Sequence, residues 1–215
     1  MSSHIIRFDL PGLIFDVEFT QSSVPPEHAV VLYETACEAG KLELPGVEIG
    51  SYIGTSTIFL AAGLKMNGQK LVAIDHHSGS AEHLEGRFSD PDYIVNGRHN
   101  TFEKFLDHTS PLKDSIIPIV ADSKEVVKIW NKMISILFID GSHDEEAVLQ
   151  DYQDWSRFIV PGGFLIFHDC ALDEVKEKMW GVYPGPGAVA RKVVSSGSWE
   201  IVKTIATTML VLKKL

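Results

Sequence analysis

The stretch LPGVEIGSYIGTST, residues 44–57, constrains what this chain can fold into more than any other. Val47 and Ile49 suit a buried strand, and Gly50 and Gly54 allow a sharp reversal with close approach of a ligand to the backbone. Thr55, Ser56 and Thr57 follow where a helix through residues 58–62 needs caps. Strand, glycine turn and helix start, in that order, aim free amide N–H groups at a bound ligand. A glycine turn that merely joins a strand to a helix is the plain alternative. The spacing is not the dinucleotide G-x-G-x-x-G pattern, because three residues separate Gly50 from Gly54 and no third glycine follows.

The same alternation runs down the chain. Apolar runs at 71–75, 116–121, 134–139 and 164–167 read as strands, and amphipathic stretches at 27–39, 100–106, 125–130 and 144–158 read as helices. Strands that alternate with helices imply parallel pairing, with functional groups gathered at the strand C-termini. Two last runs, 199–204 and 208–213, joined by a short turn at Ala206-Thr207, form an antiparallel hairpin. The expected fold is α/β: a doubly wound, Rossmann-like sheet of seven strands, mostly parallel with an antiparallel last strand, and helices on both faces. Ahead of it, residues 5–18 carry two alternating apolar runs around Pro11-Gly12, a hairpin signal. The chain is therefore divided into a hairpin-like extension, 1–24, and one α/β domain, 25–215. Residues 23–26 read as the start of the first helix, 76–99 as a long binding loop or lid, and 180–187 as a substrate-side loop.

With 215 residues, 45% of them hydrophobic, the chain has enough apolar material for one domain with a sizeable core. A net charge of -10 and a pI near 5.3 argue against broad binding to nucleic acid or to an anionic membrane. Cys37 and Cys170 stand far apart and in no zinc or redox spacing. No secretory leader opens the sequence and no apolar run is long enough to span a bilayer, so a cytoplasmic protein is expected. A homo-oligomer stays open.

Four aspartates, Asp75, Asp122, Asp140 and Asp169, fall at expected strand ends. An acid after the second strand of a doubly wound fold can accept hydrogen bonds from both ribose hydroxyls, which assigns Asp75, with His76 beside it, to a nucleoside; a solvated carboxylate is the bland alternative. Asp122 and Ser123 can cap the following helix without any ligand. Asp140 and Asp169 repel unless a cation or proton lies between them. Hard oxygen ligands suit magnesium, and manganese if an imidazole joins. His76, His77, His83 and His99 match no familiar metal spacing.

The stretch EIGSYIGTS, residues 48–56, resembles motif I of class I S-adenosylmethionine (SAM)-dependent methyltransferases, in the form found in the catechol O-methyltransferase-like group. The resemblance covers roughly residues 46–213. It implies that the cofactor's amino acid portion faces Glu48, Gly50 and Ser56, that its ribose meets Asp75, that Asp122 and Ser123 lie beside its adenine, and that Ser51, Gly54 and His76 also bind the cofactor. In that group a divalent ion bound by an aspartate after the fourth strand and an Asp-Asn pair after the fifth orients a substrate hydroxyl. Asp140 and Asp169 match the aspartates, while Cys170 stands in place of the asparagine. The chain is more similar to families that include cephalosporin-hydroxylase-like and macrolide sugar O-methyltransferases, where an acidic pair closes the fifth strand. His168-Asp169 then corresponds to that pair, which implies Asp140, His168 and Asp169 as ligands to magnesium or manganese. A metal-free site in which His168 only hydrogen-bonds Asp169 stays open. The catechol O-methyltransferase-like pattern carries a lysine three residues after Asp140; here it is His143, which the resemblance makes the general base, with Asp140 the other catalytic residue. His143 as a helix cap or loop brace is the alternative.

The expected function is SAM-dependent methyl transfer to an oxygen of a small-molecule acceptor, a sugar or a phenol. A nicotinamide-dependent oxidoreductase and a SAM-binding module without catalysis are the alternatives.

Overall fold

The protein is described by a computed structural model over residues 4–10, 13–19, 24–79, 94–95, 98–175, 178, 183–205 and 208–215. A hairpin of β1 (His4–Leu10) and β2 (Leu13–Phe19) leads to α1 (Pro26–Gly40). There follow β3 (Gly46–Ile49), α2 (Thr55–Lys65), β4 (Leu71–Asp75) and a small pair, β5 (Ile94–Val95) and β6 (Arg98–His99). Next come α3 (Phe102–Thr109), β7 (Ile116–Val120), the single turn α4 (Ser123–Val126) and β8 (Ile134–Ile139). The chain closes with α5 (Glu145–Trp155), β9 (Ile159–His168), α6 (Pro184–Ser195), β10 (Trp199–Ile205) and β11 (Met209–Lys214).

Seven strands form one sheet in the order β10-β11-β9-β8-β3-β4-β7. β3, β4, β7, β8 and β9 pair in parallel, whereas β11 enters between β9 and β10 and is antiparallel to both. The expected seven-stranded, mostly parallel sheet with an antiparallel last strand is thus observed. All positions of β3 and β8 are buried, as parallel strands covered on both faces must be.

Strand alternation splits the core into two layers. Ala73, Ile136, Phe138 and Ile166 face α1, α2, α3 and the hairpin; Val47, Ile49, Leu137, Ile139, Leu165 and Phe167 face α4, α5 and α6. The hairpin pairs only with itself, yet Val17 and Phe19 are buried and Phe8 meets Phe59 of α2 edge-on at 4.7 Å between ring centroids. It roofs α2. Among the described residues no helix is long and apolar enough to cross a membrane.

Several local expectations differ from what is seen. The helix expected at 125–130 is one α turn followed by a 3₁₀ turn at Val127–Ile129, and Asp122 makes no side-chain cap. β9 is longer than expected, because it begins at Ile159 and runs through Pro161, Gly162 and Gly163, where its register against β8 shifts. Pro184 to Gly187, read as loop, form the first turn of α6; proline is tolerated there because the first helical N–H has no partner to lose. The turns at Pro11-Gly12 and Ala206-Thr207, Ser23 of the expected helix start, His83 with most of the 76–99 loop, and residues 180–182 lie outside the described residues.

Phe59 is fully buried between the hairpin and the sheet, so Phe59→Ala opens a cavity there. Urea unfolding should show a loss of about 3–5 kcal/mol. A loss under about 1 kcal/mol would mean that the hairpin does not close over α2 in solution.

Candidate active site

The site grows from the turn between β3 and α2. Gly50 has φ +84°, and a Cβ there would lie 2.3 Å from the Asp140 carbonyl, so only glycine lets β3 and β8 end side by side. Glu48, two residues earlier, has no exposed surface. Its two carboxyl oxygens accept from Ser56 Oγ and Thr57 Oγ1, each at 2.6 Å. The hydroxyls expected to cap α2 are therefore turned inward onto Glu48, and Gly54, with φ +90°, occupies the N-cap. Burial pushes the Glu48 carboxyl up to about 8, against the pull of the two hydroxyl bonds.

Asp75 closes β4 and reaches back to the same turn. Its Oδ2 accepts from the amides of Ser51 and Tyr52 at 2.9 and 2.8 Å, and its Oδ1 from the His77 amide at 2.6 Å. A cavity of about 260 Å³ opens over these strand ends. Gly50, Asp75, His76, Asp122, Ser123 and Asp140 line it, together with Tyr52, Gln150 and Asp151. Glu48, Ser51, Gly54 and Ser56 do not line it; Glu48 and Ser56 satisfy each other beneath its floor. Ser51 Oγ is buried without a hydrogen-bond partner among the described residues, an open polar group next to the cavity floor.

At the far side Ser123 Oγ donates to Asp151 Oδ1 at 2.5 Å. Burial pushes the Asp151 carboxyl up to about 6, with the Ser123 bond opposing. Asp122 is half exposed and forms only a loose ion pair with Lys124 at 3.8 Å.

Beyond Asp140 lies a second group of polar side chains. Ile139 pairs with Phe167, so Asp140 and His168 follow at neighbouring strand ends. His168 Nδ1 is 3.0 Å from Asp140 Oδ1 and 3.5 Å from Asp169 Oδ2, while His168 Nε2 is 3.0 Å from Nδ1 of His28 on α1. Asp169 adopts φ +47°, an uncommon left-handed turn that leaves its Oδ2 3.0 Å from His143 Nε2. Tyr183 stacks flat on the His143 ring at 4.0 Å. One ligand atom from each of Asp140, His143 and Asp169 lies within 4.8 Å of the others. His168, expected as the third ligand, is placed with both ring nitrogens at hydrogen-bond distance from other groups.

Burial disfavours a charge on His168, but the Asp140 and Asp169 carboxylates outweigh it and hold the imidazole well above its ordinary value. For Asp169 burial likewise opposes the charge and is outweighed by His168 and His143, so its carboxyl stays far below its ordinary range. Burial and the neighbouring His168 lower His28 to about 4. Cys170, at the asparagine position of the resemblance, is buried and turns its thiol to the Phe167 carbonyl at 3.5 Å.

A family model described as a methyltransferase domain matches residues 47–170, from β3 to the turn after β9. The chain belongs to this methyltransferase family. Solved structures agree on the fold. An O-methyltransferase from Bacillus cereus in complex with SAH is 15% identical with a TM-score of 0.61, over 91% of this chain and 84% of that one. A Podospora anserina methyltransferase bound to SAH is 12% identical with a TM-score of 0.58, covering 90% and 80%. The O-methyltransferase TomG from Streptomyces achromogenes, of tomaymycin synthesis and in complex with SAM, is 12% identical with a TM-score of 0.58, covering 89% and 81%. The expected methyltransferase family and its fold are borne out, against the nicotinamide alternative.

Among the side chains of the candidate site, Asp151, His28 and Tyr183 were not singled out from sequence. Asp151 interrupts the stripe of Val148, Tyr152 and Trp155, and His28 sits on the stripe of Leu32 and Ala36, so both are polar residues at apolar helical positions. Tyr183 carries no such signal.

Glu48 supplies a pH test. Between pH 4.5 and about 8 the folded chain keeps a proton that the unfolded chain has released, so this group's contribution to stability falls as pH rises through that window. Glu48→Gln cannot ionise, and its melting temperature relative to the unsubstituted protein should climb from pH 5 to pH 8. A difference that is flat with pH would mean that Glu48 is ionised in the folded chain.

Proposed function

We propose that this methyltransferase transfers the methyl group of SAM to a hydroxyl oxygen of a small molecule, a sugar or a phenol, with residues 25–215 as the catalytic domain and 1–24 as an extension. The observation that carries the reading is the cavity in which Asp75, the Gly50 turn, Asp122 and Asp140 meet at the strand C-termini. When bound, SAM supplies a methyl group on a positively charged sulfur, already activated to leave. The residues fit such a molecule: Asp75 retains lone pairs for ribose hydroxyls, the unpartnered Ser51 hydroxyl lies beside the floor, and Ser123 with Asp151 offers polar groups at the far wall. Glu48 acts indirectly, by holding the start of α2 against β3. The net charge of -10 supports a small-molecule acceptor rather than nucleic acid, and the proposed enzyme is cytoplasmic.

His143 takes the acceptor's proton in this reading. Asp169, 3.0 Å from its Nε2, orients the ring and stabilises its charged form. Asp140 joins the cofactor cavity to this group, and His168 stands between the two carboxylates as their counter-charge. One observation favours a second reading. Asp140, His143 and Asp169 are close enough to hold magnesium or manganese, with His168 beside them, and such an ion would lower the pKa of a bound hydroxyl. The two readings differ at His143: in the first its Nε2 faces the Asp169 carboxylate, and in the second the ring is a ligand.

Calorimetry should show SAM binding and no heat with NAD. Asp75→Ala should weaken SAM by at least about tenfold, since bonds to a carboxylate are worth roughly 1.5–3 kcal/mol each. Unchanged affinity in a folded Asp75→Ala protein would remove the ribose assignment.

For the chemistry, His143→Ala should slow single-turnover methyl transfer by about 10²–10⁴-fold while sparing SAM binding. Protein stripped with chelator and shown metal-free by elemental analysis should stay active. Loss of activity restored by magnesium or manganese would instead make His143 a ligand.

A further inference from the structure

His28 is a buried group that the proposed chemistry does not use. His28, in the first turn of α1, is 2% exposed, and its ring meets His168 edge-on at 5.2 Å between centroids. His28 Nδ1 lies 3.0 Å from His168 Nε2, and His28 Nε2 lies 3.3 Å from Thr208 Oγ1. Together they form a string from Thr208 through two imidazoles to Asp140, sealed from water along its middle.

The hydrogen-bond arithmetic of that string has a direction. Asp140 as a carboxylate only accepts, so His168 Nδ1 must carry a proton. Of the two facing nitrogens, His168 Nε2 and His28 Nδ1, one donates to the other. If His168 donates, its ring is the imidazolium, and neutral His28 accepts and donates through Nε2 to Thr208. With one proton fewer both rings are neutral, His28 donates through Nδ1, and the Thr208 hydroxyl donates to its Nε2. Both arrangements satisfy every nitrogen, and both keep the Nδ1 proton of His168 on Asp140. A hydroxyl can serve either way because its hydrogen rotates.

We propose that His28 is a positioning residue of this site: through His168 it fixes the ring that holds the Asp140 carboxylate at the border between the cofactor cavity and the acceptor side. This rests on the methyltransferase chemistry proposed above. Strand parity explains how the contact arises. Asp140 and His168 have the parity of Phe138 and Ile166, which face the layer containing α1, so an imidazole on the inner face of α1 is the group that can reach His168 from behind. Without it, His168 Nε2 is a buried polar atom with no partner from α1, and only the carboxylates are left to hold the ring with Nδ1 toward Asp140.

The test compares His28→Leu, which keeps the volume and removes both nitrogens, with His28→Asn, whose amide can accept from or donate to His168. Full-length protein saturated with S-adenosylhomocysteine is examined by ¹⁵N NMR of its imidazoles. The His168 Nδ1 proton should be seen, slowly exchanging, in the unsubstituted and Asn proteins and be lost or fast-exchanging in the Leu protein. With pyrocatechol as the probe acceptor, kcat of the Leu variant should fall on the order of tenfold to a hundredfold, the Asn variant should recover most of it, and calorimetric SAM affinity should stay within about twofold. Should the Leu protein not fold, Thr208→Val, which removes the far partner of His28, is read the same way and should speed exchange at His168. An unchanged His168 signal in the Leu protein, or in the Thr208→Val protein if that must serve, overturns the proposal. If no form of the protein methylates pyrocatechol, the phenol reading fails, while the NMR comparison still decides the role of His28.

Discussion

A carboxyl group with no exposed surface sits in the central strand, and the geometry around it depends on how it is satisfied. Glu48 takes the Ser56 and Thr57 hydroxyls, which brings the first turn of α2 down onto β3 and sets the span that the glycine turn must bridge. Gly50 can then pass over the Asp140 carbonyl, and Asp75 can gather the Ser51 and Tyr52 amides from the next strand. Three strand ends are thereby tied to one turn before any ligand arrives. Preorganised polar groups of this kind act without rearrangement at the moment of reaction.

Parity along the strands distributes the remaining chemistry. Glu48, Asp140 and His168 all stand on the face toward α1 and α2, where buried polar groups must find partners within the protein. Glu48 finds hydroxyls and His168 finds a carboxylate on one side and His28 on the other. The opposite face is apolar beneath the helices, and Cys170 belongs to it, which explains why a thiol stands where the resemblance has an asparagine. The left-handed turn at Asp169 breaks the parity and returns its carboxylate toward His143 and His168.

Much of this was legible one residue at a time. The strands at 134–139 and 116–120 announce themselves as short β-branched runs, and the aspartates that follow them mark the C-terminal edge where an α/β sheet collects its ligands. The misread elements are those in which local chemistry is overruled by neighbours. Ser56 and Thr57 have the composition of caps but answer to a buried acid, and Pro184-Gly185-Pro186-Gly187 has the composition of a loop but begins a helix. Gly185 fits there because a Cβ would lie 2.2 Å from the His143 carbonyl, a contact between segments about forty residues apart.

By itself the sequence determined the sheet, the glycine turn and the methyltransferase family, since periodicity and the EIGSYIGTS stretch are carried by consecutive residues whose spacing is fixed by the backbone. Only the tertiary structure decided which polar side chains share a proton or a cavity. His28 and His168 are 140 positions apart, and Ser123 and Asp151 are 28. Their pairing follows from how the helices dock on the sheet, which depends on side-chain packing summed over the whole core rather than on any local pattern.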